Sequence, residues 1–78
     1  MTYDHAMAMV TAELARAREL HPWPACPHDG ASIVAEEAGE LTKASNDWLW
    51  HDGPAEDMVT EAVHTAATAI RFLVDGET

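Results

Sequence analysis

Two short stretches of this sequence carry residues whose types and spacing suit metal chemistry. Glu36, Glu37 and Glu40 lie within IVAEEAGELTKA, and Glu61 and His64 lie within TEAVHTAATAIRFL. Place the first stretch on a helix at about 100° per residue with Ile33 at zero, and Ala44, Trp48, Leu41 and Val34 fill an arc of roughly 100°. Glu37 then falls near the middle of that apolar arc, Glu40 just off its edge and Glu36 further round. An ionised carboxylate buried without a partner costs several kcal/mol. Lys43 is three residues from Glu40, but one lysine cannot neutralise three carboxylates. A hard divalent cation held by oxygen ligands is the natural compensation. A solvated acidic face accounts for Glu36 and Glu40 and accounts poorly for Glu37.

Glu61 and His64 are three residues apart, so on a helix both can point to one place. Inward carboxylates at that spacing on facing helices are how helical bundles build metal sites. If the two stretches form antiparallel helices, Glu37 and Glu40 can face Glu61 and His64.

The elements that must position these groups follow from periodicity and breakers. Met7, Val10, Leu14 and Ala17 recur at helical spacing, which predicts a first helix over about 3–20. HPWPACPHDG is rich in proline and predicts a loop over 21–29. A second helix is expected from about 30 to 49, with Asp29 or Ser32 as its N-cap. HDGP at 51–54 is a turn. Pro54 suits the first position of a third helix over 54–74, with Glu56 and Asp57 in its first turn and Gly76 beyond its end. Met58, Ala62, Ala66, Ala69 and Leu73 form the apolar stripe of that helix. The expected fold class is all-α, in one domain.

Seventy-eight residues with a single cysteine, Cys26, give a marginal core and no intrachain disulfide. A metal, an oligomer interface or both must add to it. The 14 acidic residues against 4 Lys and Arg argue against binding a nucleic-acid polymer, whose partners are basic. They do not argue against a small anion bridged by a divalent cation. No apolar run approaches the ~18 residues of a membrane span. MTYDHAMAMVTAEL lacks the basic and apolar regions of a signal peptide, so a cytoplasmic location is expected.

The two stretches together resemble the MazG-like branch of the all-α nucleoside triphosphate pyrophosphohydrolases. That family carries EExxE, a spacer, then ExxD; here Glu36, Glu37 and Glu40 match the first block and Glu61 the second, and the similarity covers about residues 28–74. The resemblance implies hydrolysis of a (deoxy)nucleoside triphosphate at the α–β bond, with Mg²⁺ or Mn²⁺ as cofactor. It implies Glu37, Glu40 and Glu61 as metal ligands, and Glu36, with Glu37, as catalytic at the attacking water. It also implies a homodimer or tetramer whose subunits share a four-helix core. The sequence departs from the pattern at His64, where the family has Asp. Three outcomes are open: His64 ligates and favours Mn²⁺, His64 contacts a water or phosphate, or the site is decayed. In the last case the chain is a helical module that binds nucleotide or a protein partner without catalysis.

Lys43, Arg71 and His28 are candidate phosphate contacts, or surface groups. Trp23, Trp48 and Trp50 suit either stacking on a base, Trp23 foremost, or packing in a core or interface. His21, Cys26 and His28 offer three zinc-type ligands, but their spacing fits no common zinc pattern. The short chain would suit a phage or a small bacterial housekeeping protein.

Overall fold

Prolines and glycines divide the chain into three helices. A computed structural model describes residues 1–76. Helix α1 spans Tyr3–Leu20, α2 spans Pro27–Trp50 and α3 spans Ala55–Val74, with no strand among the described residues. The Thr2 hydroxyl caps α1 by accepting from the His5 N–H at 3.1 Å, which satisfies one of the free donors of its first turn.

Helix α2 begins earlier than expected, at Pro27 rather than near residue 30. Proline is at home in a first turn, where its missing N–H is not needed, so the Pro-rich loop shrinks to residues 21–26. Cys26 takes the N-cap position with no side-chain cap. Neither Asp29 nor Ser32 caps the helix: Asp29 lies in its first turn, and the Ser32 hydroxyl donates back to the His28 carbonyl. Pro54 is likewise the residue before α3 rather than its first member. In the turn between α2 and α3, Asp52 is the residue with positive φ, at 54°, a conformation that Asp tolerates better than most. Gly53 is needed there for a different reason. Its N–H folds back on the Asp47 carbonyl at 2.9 Å, and a Cβ would sit 3.0 Å from Asp47.

Helix α3 lies between the other two, which pack on it and not on each other. Glu13 lies near His64, and Arg18 pairs with Asp75, so α1 runs parallel to α3. Glu37 lies near Glu61 and His64, while Gly30 approaches Phe72, so α2 runs antiparallel. The central position of α3 corrects the expected single stripe. Its most buried residues are Ala67 and Arg71. Met58, Ala66 and Ala69 are half-buried, and Ala62 and Leu73 are exposed. Among the described residues the core adds Val10, Ala17 and Ala44, and no large side chain is fully buried.

The top of the bundle is closed by polar contacts. Arg71, 5% exposed, donates from Nε to Asp75 at 2.9 Å and from Nη2 to the His21 carbonyl at 2.9 Å. Its guanidinium lies 5.0 Å from the centre of the Trp23 ring, a cation–π distance. Trp23 in turn fills the space over Gly30, where a Cβ would meet the indole at 3.1 Å. Arg18 adds a two-pronged pair to Asp75 at 2.7 and 2.9 Å. The two arginines hold the Asp75 carboxyl well below its ordinary range, at about 2, with the Arg18 hydrogen bond the larger cause. Arg71 thus ties the carbonyl end of α1 to the end of α3, a favourable place for a cation.

Candidate metal centre

Because the backbones of α1 and α2 stay apart, a cleft of about 360 Å³ opens between them, with α3 as its floor. Glu13 and Arg16 of α1, Glu37 of α2 and His64 of α3 line it, and Trp23 and Arg71 stand at the closed end. The buried arc of α2 turns Glu37 toward α3, where Glu61 and His64 occupy one face a turn apart. His64 Nδ1 is 3.5 Å from Glu61 Oε2 and 3.8 Å from Glu37 Oε2. One donor atom from each of Glu37, Glu61 and His64 lies within 4.8 Å of the others, the one such group among the described residues.

The charge balance around this group is unfavourable without a cation. Arg16 is committed to Glu13, and Arg18 and Arg71 to Asp75. Lys43 is exposed on α2 and has no ion pair among the described residues. No arginine pairs with Glu37 or Glu61, and the imidazole of His64 is their nearest base. Burial raises the Glu37 pKa; the charges of Glu61, Glu36 and Glu40 push the same way, and His64 opposes them. Ionising Glu37 therefore carries a cost that a bound cation would offset.

Two of the three donor pairs have the spacing of ligands on one divalent ion. Two donors on one ion, each about 2.1 Å from it, are at most about 4.2 Å apart, and the 3.5 and 3.8 Å separations fall inside that limit. Two carboxylates with one imidazole suit Mn²⁺ or another transition metal better than Mg²⁺, which prefers oxygen throughout.

The remaining sequence candidates fall in other places. Glu40 is exposed and outside the three-residue group, yet near enough to repel the Glu37 charge. Glu36 is exposed and outside the three-residue group, yet its charge also acts on Glu37. Lys43 and His28 are exposed and do not line the cleft. Arg71 and Trp23 line its closed end, but both are engaged in the packing described above. His21, Cys26 and His28 are exposed and form no metal-type group. Trp48 and Trp50 are 50% and 72% exposed, so neither is in the core of the single chain.

Sequence reasoning missed Glu13, whose Oε1 lies 3.7 Å from His64 Nε2. Arg16 donates to both oxygens of that carboxylate, to Oε1 at 2.7 Å and to Oε2 at 2.6 Å. The Arg16 hydrogen bond, against a smaller effect of burial, lowers the Glu13 pKa. A signal was present: on a helical projection Glu13 falls about 40° from Ala17, at the edge of the α1 apolar stripe. No family model, curated protein or solved structure matches the chain, so the site stands on the geometry of its own residues.

Proposed function

We propose that this protein is a metal-dependent nucleoside triphosphate pyrophosphohydrolase, cleaving (deoxy)nucleoside triphosphates to the monophosphate and pyrophosphate. The observation that carries this reading is the convergence of Glu37, Glu61 and His64 within 4.8 Å, on helices otherwise short of cations. The EExxE block and the later glutamate supply the reaction class by resemblance. When bound, a divalent ion would screen the triphosphate and acidify an attacking water. Glu37, Glu61 and His64 would hold it, with Glu40 joining from the next turn of α2. Glu36 would accept the proton of the water.

The cleft volume of about 360 Å³ lies at the lower end of ordinary ligand pockets, about 300–1,000 Å³. It admits part of a nucleotide, with the Trp23 edge and the Arg71 end as its wall. A second copy of the chain would complete the enclosure. Trp48, Trp50, Leu73 and Val74 are all at least half exposed, and an apolar groove lined by Ala31, Val34, Ala69, Phe72 and Leu73 runs between α2 and α3. Exposed apolar surface of this kind on so small a core supports a homodimer.

The test is product analysis on a panel of nucleoside triphosphates with Mn²⁺ or Mg²⁺ in ¹⁸O water. Pyrophosphate with label in the monophosphate is expected. Orthophosphate as the product, or no turnover with any nucleotide and either metal, would reject the proposed reaction.

A further inference from the structure

A polyphosphate tail in the cleft would face the charges of Glu13, Glu37 and Glu61, so it needs cationic partners there. The chain has 4 Lys and Arg in all, and the structure separates them. Lys43 is exposed on α2 and does not line the cleft. Arg18 is paired with Asp75 and does not line it either. Arg71 does, but it is 5% exposed, and its Nε, Nη1 and Nη2 are directed at Asp75 and at the Ala17 and His21 carbonyls. Arg16 is left. It lines the cleft beside Glu13, Glu37 and His64, and its side chain is 52% exposed.

The Glu13 pair does not use up the Arg16 guanidinium. Nε donates to Glu13 Oε1 at 2.7 Å and Nη2 to Oε2 at 2.6 Å, which occupies the side edge of the plane. The end edge, formed by Nη1 and the second hydrogen of Nη2, has no acceptor among the described residues. Its two N–H bonds are parallel, the geometry that takes two phosphate oxygens at once. We propose that Arg16 is the phosphate-binding residue of the cleft: Glu13 fixes one edge of its guanidinium, and the other edge takes two oxygens of the polyphosphate tail. This rests on the reading of the protein as a nucleoside triphosphate pyrophosphohydrolase. Glu13 Oε1, which receives Arg16 Nε, is also 3.7 Å from His64 Nε2. The guanidinium therefore stands one carboxylate away from the group formed by Glu37, Glu61 and His64. An anion lying between them would meet an ion on one side and Arg16 on the other. The role passes from Lys43, Arg71 and His28, the sequence candidates, to a residue that the sequence shows only as half of a surface pair. A lysine cannot substitute, because one ammonium held by Glu13 has no second flat edge to present.

The experiment uses the whole chain as wild type, Arg16→Gln and Arg16→Lys, with folding checked by thermal melting and Mn²⁺ affinity by electron paramagnetic resonance. Calorimetry then follows two probes, each given as its Mn²⁺ complex. One is a nucleoside triphosphate with a methylene group in place of the α–β bridging oxygen, which cannot be cleaved there. The other is inorganic triphosphate. Wild type is expected to bind both. Arg16→Gln is expected to bind both about 10- to 100-fold more weakly, the effect of losing charge-assisted hydrogen bonds, and Arg16→Lys to show most of that loss; it also serves if Arg16→Gln does not fold. Mn²⁺ affinity should be no weaker than in wild type. Arg16→Lys equal to wild type would show that charge alone is read, and would overturn the two-pronged contact. A loss confined to the nucleotide, or Mn²⁺ binding weakened as much as probe binding, would overturn the phosphate role as well. Equal affinity of all three proteins for both probes would overturn it while leaving the proposed reaction standing. A wild type that takes up Mn²⁺ but neither probe would remove the nucleotide reading and this role together.

Discussion

Replacing Glu37 by Gln should change the sign of its effect on stability according to whether metal is present. Burial, and the charges of Glu61, Glu36 and Glu40, raise the Glu37 pKa against the opposing pull of His64. A carboxyl whose folded pKa lies above its unfolded value adds stability that is fully present below the unfolded value. That stability is lost as pH rises through the folded value. At pH 7 the ionised side chain is therefore a net cost to the metal-free fold. Like charges a turn apart on a helix cost about 0.2–0.5 kcal/mol per pair, and the Glu61 repulsion across the helices is of the same kind, screened because the Glu37 side chain is 30% exposed. Relief of about 0.5 kcal/mol corresponds to a Tm rise of about 2–4 °C in a domain of this size. In Mn²⁺ at a hundred times its Kd, wild type should gain about 2.7 kcal/mol, or about 10–20 °C, and the variant much less. The assay is thermal melting of both proteins at one fixed chain concentration, in EDTA and in Mn²⁺. The variant should melt above wild type in EDTA and below it in Mn²⁺. A variant that melts below wild type in EDTA would refute the charge argument. One that gains as much from Mn²⁺ as wild type does would remove Glu37 from the ligand set.

Three further outcomes are expected. Asp75, held at a pKa of about 2 by Arg18 and Arg71, contributes stability that is present above about pH 4 and is lost as pH falls toward 2. Because Arg18 is exposed, that contribution is about 1–2 kcal/mol. Urea unfolding of Asp75→Asn should show this loss at pH 7, with a flatter acid profile than wild type below pH 4. His64→Asp should shift metal preference from Mn²⁺ toward Mg²⁺, read as the ratio of affinities for the two ions, and should lower metal-free stability by facing a new carboxylate toward Glu13, Glu37 and Glu61. Sedimentation at micromolar concentration should give a dimer or larger; a folded monomer of 8.5 kDa would reject the shared core.

The sequence made the helices and one half of the site legible, because both depend on local spacing. Glu37 could be placed on a buried arc, and Glu61 with His64 on one face, from helical period alone. The rest depends on which helices become neighbours, which period does not reveal. Glu13 reads locally as half of an ordinary surface pair with Arg16. Its approach to His64 exists only because α1 runs parallel to α3. Arg71 reads as a phosphate contact or a surface cation; it is not on the surface, and it ties two helix ends together. The Met58–Leu73 stripe assumed one partner for α3. The helix has two, so its burial shifts to Ala67 and Arg71 and leaves Leu73 71% exposed. The early start of α2 was visible in Pro27 but masked by the prolines around it.

The central claim is that Glu37, Glu61 and His64 form one divalent-metal centre. Titrating Mn²⁺ into metal-stripped protein, with free ion measured by electron paramagnetic resonance, tests it most directly. Saturable binding by wild type is predicted, lost or greatly weakened in each of Glu37→Gln, Glu61→Gln and His64→Ala. Absence of saturable binding at millimolar Mn²⁺, or binding that survives all three substitutions, would contradict it.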